Sequence, residues 1–150
     1  MGFFDGYNVA TSGMSAQRTR INIVSSNIAN AQTTHTIGGG PYKKQNVLFE
    51  EILLDSAKKQ NKEVQLNLID PLALRGVRVK EIIDSQDEVI LKYEPQHPDA
   101  NKDGYVAYPN INPVIEMVDL IEAMRSYESN VAAFKTQKDM DTKTLDIIKM

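Results

Sequence analysis

Asp99-Ala100-Asn101-Lys102-Asp103-Gly104 puts Asp, Asn and Asp at alternate positions before a glycine. That is the first half of a calcium loop, where alternate oxygens converge on the ion and the glycine makes the sharp turn. The pattern then requires a bidentate Glu at the twelfth position. Asn110 stands there, flanked by Pro109, and Pro95 and Pro98 remove the helix that should precede the loop. A polar turn is the better reading. A calcium-binding or other interaction module over residues 99–110 is the alternative.

The other chemistry-bearing residues are weaker still. Gly38-Gly39-Gly40-Pro41-Tyr42-Lys43-Lys44 could cradle a phosphate, but a helix N-terminus must follow such a loop, and Pro41 and a strand-like run follow this one. His35 and His97 stand far apart without patterned partners, so they lack the clustered spacing of metal ligands. No serine occupies a nucleophile elbow. Glu50/Glu51 and Asp87/Glu88 read as solvated faces rather than acid–base pairs. The sequence therefore argues against an enzyme, and it offers no catalytic residue, no metal site and no cofactor site.

The totals set further bounds. The chain has 150 residues and a formal charge of −3, from 17 basic and 20 acidic side chains. That balance excludes nucleic-acid binding by bulk charge. No apolar run is long enough to span a bilayer. The start, Met1-Gly2-Phe3-Phe4-Asp5-Gly6, has neither the basic nor the apolar region of a cleaved secretory signal, and Gly6 stands where a myristoylation signal needs Ser or Thr. Cysteine is absent, which excludes disulfides but fits either redox compartment.

Three zones can be read along the chain. From Asp5, a plausible N-cap, to Ala31 the apolar residues follow heptads: Tyr7, Met14, Ile21 and Ile28 in one row, Ala10, Gln17, Val24 and Ala31 in the other. Thr11, Ser12, Gly13, Asn22, Ser25 and Ser26 are poor helix formers, so this helix needs a partner to stabilise it. The last zone opens at Asn112, a good N-cap, with Pro113 at the first helical position. No Gly or Pro follows to Met150. Met117, Met124, Val131 and Leu145 share one row; Leu120, Tyr127, Phe134 and Ile148 share the other; Lys138 and Asp141 break the pattern.

The middle zone holds all but one of the prolines and the strand signals. Tyr42 to Phe49, Val64 to Ile69, Leu74 to Ile83 and Glu88 to Glu94 read as strands of a small antiparallel unit with one wet face; Phe49 to Gln60 is ambiguous; Pro95 to Asn112 is mostly irregular. The fold class is α+β. Long terminal helices pair antiparallel as a coiled coil, and a small antiparallel β unit is inserted between them. The expected division is a helical axial domain of residues 1–34 plus 112–150 and a β-rich outer unit of 35–111. Apolar residues off the rows, among them Val9, Ile23, Ile115, Val118 and Ile121, point to further helices as neighbours.

Two stretches carry a family resemblance. Ser12-Gly13-Met14-Ser15-Ala16-Gln17-Arg18, with Ser26-Asn27-Ile28-Ala29-Asn30-Ala31-Gln32-Thr33-Thr34, resembles the N-terminal signature of bacterial flagellar axial proteins of rod and hook. Asn112-Pro113-Val114 through Ala123-Met124-Arg125-Ser126-Tyr127-Glu128-Ser129-Asn130-Val131 resembles their C-terminal helix. Tyr93-Glu94-Pro95-Gln96-His97-Pro98-Asp99-Ala100-Asn101 and Gly39-Gly40-Pro41-Tyr42 are similar to a proximal rod member of that family. The resemblance implies a structural subunit of the flagellar basal-body rod, exported without signal cleavage and assembled in the periplasm. It implies copies of itself and sister rod proteins as partners, the membrane ring and export gate at the base, and the distal rod beyond. It implies no nucleic acid, no small-molecule substrate and no cofactor. The assembly contacts would come from Met14, Ile21, Val24, Asn27, Ile28 and Asn30, and from Met117, Leu120, Met124, Tyr127, Val131 and Phe134.

Overall fold

Asn112 and Pro113 start the longest element. The Asn112 side chain accepts a hydrogen bond from the Val114 N–H at 3.0 Å, and the helix then runs from Pro113 to Ile148, 36 residues or about 54 Å. The computed structural model describes residues 5–54 and 75–149. In chain order the elements are α1 (Asp5–Ala29), β1 (Gln45–Leu53), β2 (Arg75–Asp84), β3 (Ile90–Tyr93), β4 (Tyr105–Tyr108) and α2 (Pro113–Ile148). The fold is the expected α+β arrangement, two long helices packed together with small antiparallel sheets between them.

The helices run antiparallel. Gly6 and Gly13 of α1 face Gln137 and Asn130 of α2, and Asn27 faces Glu116. These contacts recur at heptad spacing, so one row of each helix follows the other along its length. A Cβ on Gly13 would stand 2.8 Å from the Asn130 amide oxygen. The backbones come this close because the row is made of small and polar residues rather than bulky apolar ones.

That corrects the sequence reading by one position in each helix. The rows expected to interlock included Met14, Met117 and Met124, yet the innermost row contains Gly13, Glu116 and Ala123. Met117 and Met124 lie on the outer side, 51% and 46% exposed. The second expected rows lie inward over most of their length: Ala10 and Val24 are buried and Leu120, Tyr127 and Phe134 are half-buried, whereas Ile148 at the end of α2 is 74% exposed.

β1 and β2 pair antiparallel from Gln45↔Asp84 to Leu53↔Arg75, with a register shift between Leu48 and Phe49. This ribbon lies along α1. Gly76 makes the approach possible, since a Cβ there would sit 2.9 Å from the Ser12 hydroxyl. The same hydroxyl accepts the Val77 N–H at 3.2 Å and donates to the Val9 carbonyl at 2.7 Å. Phe49 to Leu53, ambiguous in sequence, belongs to β1. The expected strand Val64–Ile69 and residues 55–60 lie outside the described residues.

β3 and β4 form a second antiparallel ribbon, Ile90↔Tyr108 to Tyr93↔Tyr105. Pro95 to Asn112 is mostly irregular, as expected, but it holds the short strand β4, which the sequence did not suggest. Tyr105-Val106-Ala107-Tyr108 is a strand because Tyr93 and Tyr105 stack edge-on at 5.3 Å and Val106 is completely buried. Gly104 turns the chain into it at φ 82°, where a Cβ would strike the Tyr93 ring at 2.8 Å.

Candidate assembly surface and its polar root

The Asp99–Gly104 loop uses its oxygens to close itself. Asn101 Oδ1 accepts the N–H groups of Asp103 and Tyr105, at 3.0 and 2.8 Å, and Asp99 Oδ2 accepts the Thr34 hydroxyl at 2.7 Å. Among the described residues no group of three or more His, Cys, Asp or Glu is placed to hold a metal ion. The Gly38–Gly40 segment is likewise a closed turn, with the Thr36 N–H bound to the Gly40 carbonyl and the Gly39 N–H to that of Thr36.

The built site is where the helices root in the β unit. Asn27 on α1 and Glu116 in the first turn of α2 are each 1% exposed. Asn27 Nδ2 donates to the Gln45 carbonyl at 2.9 Å and to Glu116 Oε2 at 3.1 Å. Its Oδ1 accepts the Gln45 N–H at 3.0 Å and the Tyr42 hydroxyl at 3.1 Å. Two donors and two acceptor sites are thus all used. The side chain meets Gln45 as a neighbouring strand would, through both N–H and carbonyl. Lys44 Nζ stands 2.6 Å from Glu116 Oε1 and completes the carboxylate. A buried carboxylate is tolerable only when paired and hydrogen-bonded, and here both oxygens are occupied.

Asn30 has a local role. Its Nδ2 donates to the Ser26 carbonyl at 2.9 Å, and its Oδ1 accepts the Thr33 hydroxyl at 3.1 Å. It therefore ties down the end of α1. The Ser26-Asn27-Ile28-Ala29-Asn30 stretch thus carries two asparagines with different tasks, one locking the β unit and one finishing the helix.

Polar contacts continue up the helix pair. Arg20 reaches Asp119 at 3.5 Å and Glu122 at 3.9 Å, partly exposed pairs worth about 1 kcal/mol at most. Near the tip the Tyr7 hydroxyl donates to Asp141 Oδ2 at 2.6 Å, and its ring meets Phe134 edge-on at 4.9 Å. Asp141, which broke the apolar pattern, is a partner in the pairing. Its hydrogen bond holds the Tyr7 hydroxyl protonated and pushes its pKa up to about 12. The folded pKa lies above the unfolded one, so this contact contributes fully below about pH 10 and is lost as pH rises through about 12. Tyr7→Phe should abolish that alkaline dependence while sparing neutral-pH folding. Tyrosinate absorbance followed through an alkaline titration checks it: one late-titrating ring should be lost in the variant, while Tyr108, whose hydroxyl donates to Glu94 at 2.8 Å and is likewise held protonated, remains.

The other expected assembly residues divide into two groups. Val24 and Asn27 are buried inside the subunit. Met14, Ile21, Ile28, Asn30, Leu120, Tyr127, Val131 and Phe134 are half-buried, and Met117 and Met124 are exposed. The exposed pair belongs to a wider stripe on α2 with Val114 (69%), Ile115 (56%), Val118 (61%) and Ile121 (52%). Glu116 was not among the assembly residues singled out from the sequence. Its burial, and the roles of Lys44, Tyr42 and Gln45, were missed. One signal was available: Glu116, Ala123, Asn130 and Gln137 form a small and polar row at heptad spacing.

Comparison with known proteins agrees with this geometry at both ends. Residues 8–34 match the family described as "Flagella basal body rod protein", and residues 102–147 match "Flagellar basal body rod FlgEFG protein C-terminal". The first covers most of α1, and the second takes in β4 and nearly all of α2. The flagellar basal-body rod protein FlgC of Borreliella burgdorferi is 40% identical, covering 99% of each chain. That of Bacillus subtilis is 38% identical over 97% of this chain and 98% of its own, and that of Salmonella typhimurium 36% over 98% of each. By likeness along nearly its whole length, the chain belongs to the FlgC family of flagellar basal-body rod proteins, a structural family and not an enzyme family.

Proposed function

We propose that this rod subunit assembles through its two terminal helices into the tubular wall of the proximal rod, around the export channel, and transmits torque along it. The single observation behind this reading is the unburied apolar surface of α2. Of its 36 residues, Glu116 and Ala123 are buried, while Val114, Ile115, Met117, Val118, Ile121 and Met124 stay about half exposed or more. Burying one such side chain fully is worth about 1.5–3 kcal/mol, so each still holds roughly half of that in reserve. The subunit's own apolar core, among the described residues, is Ala10, Ala16, Val24, Val106, Ile111 and Ala123. Half of these are alanines, which makes a thin core for a chain of this length and fits a subunit completed by its neighbours.

Residues 1–34 and 112–150 would form the axial part and 35–111 the outer part. Other copies and sister rod proteins would cover the stripe, with the membrane ring and export gate at the base and the distal rod beyond. Met117 and Met124 suit that setting, because methionine repacks readily against non-identical partners. Export without signal cleavage and work in the periplasm complete the reading.

The chain has no cysteine, so introduced thiols report cleanly. Val118→Cys and Met124→Cys should react with maleimide in the free subunit. In purified basal bodies labelling should slow at least roughly tenfold, then return when the rods are dissociated. Equal labelling in both states would show that the stripe is not an assembly contact.

A further inference from the structure

The polar root draws its members from three separate stretches of chain. Asn27 comes from α1, Glu116 from the first turn of α2, and Tyr42, Lys44 and Gln45 from the segment entering β1. No two of these stretches can satisfy the cluster. If the β1–β2 ribbon leaves, Glu116 loses the Lys44 ammonium, 2.6 Å away, and Asn27 loses Tyr42 and both Gln45 contacts. If the helices part, Lys44 loses its carboxylate and the Asn27–Glu116 bond of 3.1 Å opens. Each failure strands polar groups at a site where Asn27 and Glu116 are 1% exposed.

From this geometry we infer that the Asn27–Glu116–Lys44 cluster is a conformational coupling, which makes seating of the β1–β2 ribbon and closure of α1 on α2 one cooperative event. The ribbon has a second anchor on α1, from the Val77 N–H to Ser12. That anchor touches α1 alone and cannot report whether α2 is in place. The cluster touches both helices. Coupling of this kind is reciprocal: whatever the ribbon gains from paired helices, the helices gain from a seated ribbon. A change at Lys44, which belongs to neither helix, must therefore loosen the helix pair.

The inference does not depend on the rod reading, because its test uses the purified, unassembled full-length chain. Hydrogen exchange would be followed in wild type, in Lys44→Met and in Lys44→Met/Glu116→Gln. Lys44→Met keeps the length of the stem and leaves a buried carboxylate without its cation. Exchange should quicken roughly tenfold or more in 45–53, and by a similar factor in 22–29 and 113–123 on the helices. The double variant removes the stranded charge and should recover at least about half of that loss on a logarithmic scale. Arg78→Ala, on the exposed side of the ribbon, should leave the helices unchanged.

Faster exchange confined to the ribbon in Lys44→Met would overturn the coupling, as would no change anywhere. If Lys44→Met does not fold, recovery of folding in the double variant supports the inference, and a double variant no better than the single one overturns it.

Discussion

Asn27→Leu is expected to lower the stability of the isolated subunit by about 3–5 kcal/mol, read as a fall in the urea midpoint with little change in slope. Leucine has the same branched four-atom skeleton, so no cavity opens and the loss falls mainly on the hydrogen bonds. Asn27 serves four partners: the Gln45 N–H, the Gln45 carbonyl, the Tyr42 hydroxyl and Glu116 Oε2. Leucine serves none of them. Each polar group left buried and unpaired costs about 1–3 kcal/mol, and the carboxylate sits at the upper end. Asn27→Asp separates shape from chemistry. It keeps the acceptor toward Gln45 N–H and Tyr42, but it turns the donor facing Glu116 into a second carboxylate oxygen. It should therefore destabilise about as much as leucine does. A loss below about 1 kcal/mol in both variants would mean that the cluster is not the root of the fold.

Ile121→Asp should do the opposite: leave the subunit folded and stop it from entering the rod. Ile121 is 52% exposed on the outer stripe of α2, so the purified variant should melt within about 0.5 kcal/mol of wild type. Once covered by a neighbour, however, an unpaired aspartate must be desolvated, at several kcal/mol per contact. In a strain lacking the wild-type gene, basal bodies should contain no variant and swimming halos should disappear. Normal motility would remove the stripe from the assembly surface. Val131→Asp is a less clean probe, because Val131 is half-buried within the subunit and its change would disturb both faces at once.

How far the fold was legible in sequence depends on where the decisive partners lie. The limits of α2 were readable, because Asn112 and Pro113 act through bonds within a turn. The antiparallel pairing was readable too, since two helices flanking a compact insert return alongside each other. The inner row was misplaced because heptad reasoning sends the largest apolar side chains inward. Here Gly6, Gly13, Ala123, Asn130 and Gln137 line the approach, and Met117 and Met124 face out. Spacing within one helix cannot show that Glu116 will find Lys44 across the fold, so its burial had no local signature. β4 was missed for a related reason. Tyr105 to Tyr108 sits among prolines and glycine, and only its pairing with Tyr93 across the ribbon makes it a strand. Asn27 was singled out by family likeness rather than by physics; its four hydrogen bonds supply the reason.

The placing of polarity inside the helix pair and stickiness outside it divides two evolutionary burdens. Glu116, Asn27 and the Tyr7–Asp141 contact fix which way and how far the helices overlap, and any drift there is punished in the chain itself. Val114, Ile115, Val118 and Ile121 carry no such duty. On the proposed assembly reading, these four can change without disturbing that overlap, and the scaffold beneath them stays put. On that reading, a repainted stripe would be enough to suit the subunit to a different neighbour without refolding it.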